Sequence, residues 1–244
     1  MLSKNQIKLI KSLSQKKFRE QHGLFTVEGI KGITEFLKSD FQLHHIFAVD
    51  SVFDVSESDI TIISESDLKR VSHLKSPNTA LAVFKIPQPK PIRTSGLIVA
   101  LDAVRDPGNL GTIIRLCDWF GINDLVCSET TVDCFNNKVV QATMGSLSRV
   151  NITYLNLEHF IRDKNVTSYG TFLNGNNIYQ TQLPKVGMVI LGNEANGISD
   201  VIEAAVDERL TIPQFGDVKT TESLNVATAT AIVLSEFSRV SIET

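Results

Sequence analysis

Short continuous apolar runs alternate along this chain with segments whose apolar residues recur every three or four positions, the pattern of strands and helices in α/β order. Leu97, Ile98, Val99, Ala100 and Leu101 form one such run, expected of a strand covered on both faces. Behind it Leu110, Ile113, Ile114, Cys117 and Phe120 fall on one helical stripe, with Asn109 placed to cap its start and Gly121 to end it. Ile122 to Cys127 reads as the next strand, so the segment is a βαβ unit with a right-handed crossover. Met188 to Leu191 repeats the buried-strand pattern and leads to a helix opened by Ser199 and Asp200, carrying Val201, Ile202, Ala205 and Val206. A last helix places Val226, Ala229, Thr230, Val233, Leu234 and Phe237 on one stripe, capped by Ser223 or Asn225. Ala227 and Ala231 keep its neighbouring rows small, which permits close packing.

The N-terminal part shows the same alternation on a smaller scale. A lysine-bearing helix is expected over about 3 to 15, with strands near Phe25 to Val27, His45 to Val49, Ile60 to Ile63 and Leu81 to Phe84 and helices between them. Pro87, Pro89 and Pro91 break any regular element within five residues. The division predicted is a first domain over 1–86, a linker over 87–95 and a second domain over 96–244.

Three glycine-containing turns follow strands in the predicted second domain: DPGNLG at 106 to 111, GNEANG at 192 to 197 and IPQFGDVKTTESLN at 212 to 225. In open α/β sheets such turns gather at one edge, where ligands bind. None is specific alone. DPGNLG is not the dinucleotide fingerprint, and GNEANG is not a P-loop because no Gly-Lys-Ser/Thr follows. Gly192 and Gly197 allow close backbone approach or positive φ, which puts Glu194 in a tight loop. Thr112, Arg115 and Trp119 face away from the apolar stripe of their helix. An outward tryptophan marks either contact with a partner or ligand, or a helix flank covered by a neighbouring loop.

Composition narrows the classes. At 244 residues and 42% apolar, the chain is long enough for two modest cores. No hydrophobic run reaches membrane-spanning length and the N-terminus lacks a signal-peptide core, so a cytoplasmic protein is expected. Cys117, Cys127 and Cys134 are odd in number and lack C-x-x-C spacing, which argues against a disulfide framework and against a zinc site. The net charge of −3 is no polycation's, but Lys4, Lys8, Lys11, Lys16, Lys17 and Arg19 all precede the first acid, Glu20. Lys4, Lys8 and Lys11 share a helix face, as a phosphate-tracking surface requires and as any solvated amphipathic helix also provides.

Taken in order, DPGNLGTIIR with Phe120 and Gly121, then VILGNEANGIS, then IP with Gly216 and SLNVATATAI make the chain similar to the SpoU (TrmH) family of RNA ribose 2′-O-methyltransferases in the SPOUT class. The match runs from about Gly96 to Arg239, and KLIKSLSQKKFREQHGLFTVEG resembles the opening of the substrate-binding domain found in many members. The resemblance implies an α/β chain with two parts. The C-terminal SPOUT domain would hold a parallel sheet and a deep trefoil knot, and a smaller L30e-like α/β domain would precede it. It also implies S-adenosyl-L-methionine as the cofactor and a homodimer through the C-terminal domain, with the active site near the subunit interface; no metal is expected, and Trp119 suits either that interface or stacking on RNA. Backbone groups at Gly192, Ile212 and Leu224 would line the donor pocket. Asn109, Arg115, Glu194, Ser223 and Asn225 match the family's polar catalytic positions, and the lysines with Arg19 would face RNA.

In that reading Arg115 grips the phosphate beside the target ribose, and Glu194 either holds Arg115 or caps a nearby backbone turn. Two departures concern loop geometry: Ala195 stands where many members have glycine, and Gly216 to Ser223 is a few residues longer than the common spacing. His44 and His45 receive no role. Ribosomal RNA, 23S in particular, is the preferred substrate because a separate N-terminal domain is typical of members that dock on it. Transfer RNA is the alternative within the enzyme class, and a non-catalytic RNA-binding protein of the same fold the alternative outside it. A dinucleotide oxidoreductase ranks third, lacking both the glycine fingerprint and an acid placed for a ribose.

Overall fold

The computed structural model describes residues 2–74, 76–77, 79–216 and 223–242, with only the backbone described over 240–242. Its contacts divide the chain into two compact units, Met1–Gln88 with Asp133–Arg149 and Pro89–Val132 with Val150–Thr244.

In the first unit α1 (Lys4–Ser12) starts at a reciprocal cap: Ser3 Oγ accepts from the Gln6 amide at 3.2 Å and Gln6 Oε1 from the Ser3 amide at 2.9 Å. A turn separates it from α2 (Lys16–His22), so the single helix expected over 3 to 15 is shorter, and Gly23 closes α2 in the left-handed conformation at φ 64°. Then come β1 (Leu24–Glu28), α3 (Ile30–Leu37), β2 (Leu43–Ala48), β3 (Ile60–Ile62), α4 (Glu65–Val71) and β4 (Ala80–Lys85). Among the described residues the strands form a sheet in the order β1-β4-β2-β3, antiparallel except for β2 with β3. Leu2, Ile10, Leu13, Phe47, Leu68, Leu81 and Val83 fill one core. An aromatic group of Phe25, Phe36, Phe41 and Phe84 packs edge-on or tilted at centroid distances from 5.0 to 6.1 Å.

The contacts set no linker apart: residues 87 and 88 fall in the first unit and 89–95 in the second. Residues 133–149, which fall inside the predicted second domain, pack with the first unit. The physical reason is Arg19. Its side chain is 2% exposed, and its guanidinium donates to the Leu13 carbonyl and to the Asp133 carboxylate. A cation buried so deeply requires a carboxylate beside it, and the chain supplies one from 114 residues away. Phe135 then packs against Phe25, tilted by 47° at a centroid distance of 4.7 Å, Thr26 bonds Asn137 at 3.2 Å, and Arg149 pairs with Glu35 at 2.6 Å. The helix of this segment, to be numbered α6, spans Asn137–Thr143.

The second unit runs β5 (Leu97–Leu101), α5 (Pro107–Trp119) and β6 (Asp124–Ser128), then, after the excursion through α6, β7 (Asn151–Leu155), α7 (Leu157–Asp163), β8 (Ser168–Asn177), β9 (Gly187–Leu191), α8 (Asp200–Glu203), β10 (Glu208–Thr211) and α9 (Val226–Ile242). Among the described residues its sheet has the order β10-β8-β9-β5-β6-β7, and every pairing is parallel. Parallel pairing places the C-terminal ends of β5, β9 and β10 at one edge. Ile98, Ala100, Val126, Met188 and Ile190 pack under Leu157, Phe160, Ile161 and Ile202 of α7 and α8. Helices α5 and α9 pack together, and α9 buries Val226, Thr230, Val233, Leu234 and Phe237 on the stripe expected of it. Each such large apolar side chain contributes roughly 1.5–3 kcal/mol on full burial.

Two helix starts depart from expectation. Asp106, not Asn109, caps α5: its Oδ1 accepts from the Asn109 amide at 2.8 Å, and Pro107 occupies the first helical position, where a missing N–H costs nothing. Helix α8 is only four residues long, so Ala205 and Val206 lie beyond it. Its cap residue Ser199 gives its hydroxyl to Asp102 rather than to the helix.

Candidate active site

The edge where β5, β9 and β10 end carries the three turns, and one side chain ties them together. Freed from capping, Asn109 donates from Nδ2 to Glu194 Oε1 at 2.9 Å and accepts at Oδ1 from Asn225 Nδ2 at 2.9 Å. The first turn is thus bonded to the second and to the third. Asn225 is fixed in turn as the cap of α9, its Oδ1 accepting from the amides of Ala227 at 3.0 Å and Thr228 at 3.2 Å. Glu194 also reaches the amides of Arg105 at 3.5 Å and Asp106 at 3.4 Å. Of the two roles open to it, capping a neighbouring backbone turn is the one seen.

The second turn is built tightly enough to require glycine. Asn193 and Gly197 exchange backbone bonds at 2.8 and 2.9 Å, Gly197 sits at φ 70°, and a Cβ on Gly192 would collide with the backbone of Gly197 and Ile198. Asn193 stitches the loop from inside: Oδ1 accepts from Ala195 at 2.9 Å and Asn196 at 3.3 Å, while Nδ2 donates to the Ala103 carbonyl at 2.6 Å. Beneath it Asp102, 6% exposed, accepts from both the amide and the hydroxyl of Ser199, at 2.8 and 2.7 Å. Ala103 adopts φ 57°, an uncommon left-handed conformation for a residue with a Cβ. The sequence pattern does not mark Asp102, Asn193 or Asp106. The signal it offers is an Asp at a strand end and polar residues in glycine turns, which also describes many ordinary loops.

Arg115 stands apart from this cluster. It is exposed on α5 with Thr112 and Trp119, as the helical period predicts, and it makes no hydrogen bond or ion pair among the described residues. Trp119 is 83% exposed, so no described loop covers it. Ser223 is exposed and makes no side-chain hydrogen bond among the described residues, and Leu224 beside it is half-exposed. Ile212 is partly buried just past β10. Residues 217–222, most of the lengthened 216–223 loop, lie outside the described residues. Burial pushes the Cys117 thiol up, and burial with Glu208 and Asp207 raises the Tyr169 phenol, so both remain neutral and neither serves as a nucleophile at neutral pH.

In the first unit Lys4, Lys8, Lys11, Lys16 and Lys17 are exposed, Lys16 lying 3.7 Å from Glu20. Arg19, expected among the RNA-facing cations, is the internal strut described above and presents no charge to a ligand. His45 Nε2 lies 2.8 Å from Thr61 Oγ1, and burial together with His44 lowers its pKa against the pull of Asp59.

An all-parallel sheet whose strand-end turns are bonded into one polar cluster defines an α/β ligand-binding domain. The model of the SpoU rRNA methylase family matches residues 96–235, and that of the MRM3-like substrate binding domain matches residues 4–82. The chain belongs to the SpoU rRNA methylase family. It is 33% identical over 242 residues to the 23S rRNA (guanosine(2553)-2′-O)-methyltransferase RlmP of Bacillus subtilis, covering 95% of this chain and 96% of the relative. A TrmH-family structure from Porphyromonas gingivalis superposes with a TM-score of 0.90 at 38% identity, over 98% of this chain and 99% of that one. An AdoMet-bound rRNA methyltransferase from Sinorhizobium meliloti does so with a TM-score of 0.87 at 30% identity, over 98% and 97%.

Proposed function

We propose that this protein transfers a methyl group from S-adenosyl-L-methionine to a ribose 2′-hydroxyl of 23S ribosomal RNA. The observation that carries the reading is the pair of hydrogen bonds from Asn109 to Glu194 and Asn225, which holds the three motifs of the family in one cluster. The full-length relationship to a 23S enzyme supports the substrate.

The residues present fit the donor. Gly192 is the residue that lets its turn close on Gly197 and Ile198, and in this reading its backbone, with partly buried Ile212 and half-exposed Leu224, lines the donor pocket and supplies the polar and apolar surface an adenosyl group needs. When bound, the donor supplies a sulfonium-activated methyl carbon for in-line displacement by oxygen. The chain's contribution is placement: holding the hydroxyl at near-attack distance can supply roughly 7–11 kcal/mol in well-oriented systems. Arg115, unpaired among the described residues and exposed, grips the phosphate beside the target ribose with its planar fork. A guanidinium is a poor base, so Arg115 orients and stabilises charge while the hydroxyl proton leaves to the phosphate or to water. Glu194, Asn109 and Asn225 keep the loops in register, and Ser223 adds a hydroxyl at the mouth of α9.

In this reading the C-terminal unit carries the deep trefoil knot of SPOUT enzymes, and the N-terminal unit is L30e-like and presents Lys4, Lys8, Lys11, Lys16 and Lys17 to RNA phosphates. Two copies pair through the C-terminal unit with Trp119 at the interface, and the protein works in the cytoplasm. No helix among the described residues is long and apolar enough to cross a membrane.

The experiment is labelled methyl transfer to 23S transcripts, with transfer RNA as a comparison, by the wild type and Arg115→Ala. Loss of transfer with calorimetric donor binding retained supports the assignment. Undiminished turnover by Arg115→Ala contradicts the role of Arg115, and failure of the wild type to bind the donor contradicts enzymatic function.

A further inference from the structure

Two aromatic rings stand at the same strand-end edge with no part in the polar cluster. Phe215, in the third turn and three residues beyond Ile212, is 82% exposed, and Tyr179 is 41% exposed. Their centroids lie 6.2 Å apart with the planes inclined at 37°, a tilted pair in which most of the Phe215 side chain remains exposed. Both are held by the end of β10. Tyr179 follows Ile178, which is fully buried and whose amide donates to the Thr211 carbonyl at 3.0 Å. Its turn is closed from within by Asn177, whose Oδ1 accepts from the Tyr179 amide at 3.0 Å and whose carbonyl accepts from Thr181 Oγ1 at 2.8 Å. Next to it β8 makes an irregular excursion: Arg209 pairs with Gly170, but Leu210 pairs with Asn176. Arg209 fills the excursion, its guanidinium 3.8 Å from the Phe172 ring and bonded to Asn174 and Glu203, and Gly175 lies directly on its carbonyl. Bulges of this kind re-aim side chains beside active sites. These bonds hold the platform on its Tyr179 side, and Phe215 lies past the end of β10, three residues beyond Ile212.

We propose that Phe215, backed by Tyr179, is a stacking platform for one unpaired base of the RNA substrate next to the ribose being methylated. This rests on the methyl-transfer reading above. What sets Phe215 apart from a lone exposed side chain is its pairing with Tyr179, which makes a small aromatic patch at the strand-end edge. The ligand class fits the place: a ribose reached in line from the strand-end edge must be drawn out of its helical stack, and an unstacked base finds compensation on an aromatic face. Stacking of this sort is tolerant of base identity, so the platform positions the nucleotide and leaves the choice of base to hydrogen bonds elsewhere.

The test compares wild type, Phe215→Leu and Phe215→Trp in four measurements: equilibrium binding of a 23S rRNA fragment, KM and kcat for its methylation, calorimetric affinity for S-adenosyl-L-methionine, and mass by light scattering. Leucine keeps the apolar bulk and removes the π face. The expected result is RNA binding weakened about 10-fold or more in Phe215→Leu with KM raised to match, kcat, donor affinity and mass unchanged, and recovery in Phe215→Trp. Unchanged RNA affinity and KM in Phe215→Leu overturns the proposal. So does a defect confined to donor affinity, which would make Phe215 part of the donor pocket, or a change of mass, which would make it a contact between copies. If the wild type binds RNA in a Phe215-dependent way yet methylates none, the platform stands and the methyl-transfer reading falls.

Discussion

Asn225 donates to Asn109 at 2.9 Å across 116 positions of sequence, so the cap of the last helix is also the clasp between the third turn and the first. The other end of the Asn109 side chain donates to Glu194, a charge-assisted bond. Its amide therefore reads two loops at once, which neither an aspartate nor an alanine can do.

Replacing Asn109 separates these ties. Asn109→Ala loses both bonds, and Asn109→Asp sets a second carboxylate against Glu194, so donor affinity should fall at least about 10-fold in the first and further in the second, at roughly 1.5–3 kcal/mol per bond to a charged group. Calorimetry on both variants, with circular dichroism to confirm folding, decides it. Equal donor affinity in wild type and Asn109→Asp would rule out the clasp.

Gly192 is placed under a steric test. A methyl group there meets the Gly197 carbonyl group and the Ile198 nitrogen, so Gly192→Ala must open the second turn. Donor binding should be lost while the melting temperature falls by only a few degrees, because the collision is confined to a surface turn. Alanine at the solvent-facing Gly96, which meets nothing within 4 Å, serves as the control and should leave both unchanged.

The Arg19–Asp133 pair predicts a stability effect with a distinctive double mutant. Asp133→Ala leaves a guanidinium 2% exposed without its carboxylate and should cost about 3–5 kcal/mol in urea unfolding. Adding Arg19→Met removes the stranded charge and should recover most of that loss. A double mutant no more stable than Asp133→Ala alone would contradict the strut.

The lysines of α1 predict a salt effect. Replacing Lys4, Lys8 and Lys11 together with glutamine should weaken RNA binding and flatten its dependence on salt, by about one unit of slope for each phosphate that no longer pairs with a lysine. Donor affinity should not change. An unaltered slope would mean that this face is merely solvated.

Much of the second unit is legible because its strands are continuous apolar runs and its helices keep a clean stripe: Leu97–Leu101, Met188–Leu191 and the Val226 to Phe237 row all fall where the pattern puts them. What escapes has physical causes. β8 ends in polar LNGNN, which has no strand periodicity and is held by the Arg209 excursion instead. The cap of α5 lies three residues ahead of the expected one because Asp106 and Asn109 are both good caps, and Pro107 decides between them. Residues 133–149 carry no compositional mark of their departure, since a charge partner for Arg19 could have come from anywhere in the chain. Of the candidate site, Asn109, Glu194 and Asn225 stand in three separate motifs and are in contact. Their neighbours Asp102, Asn193 and Asp106 become visible only in three dimensions.

The most direct measurement is a map of ribose 2′-O-methyl groups in ribosomal RNA from cells with and without this protein, repeated with cells carrying Arg115→Lys, which keeps the charge and loses the planar fork. The expected map has one 23S site that is methylated with the wild-type protein, unmethylated without it, and strongly reduced with lysine. A 23S methylation map identical in all three strains would contradict the assignment.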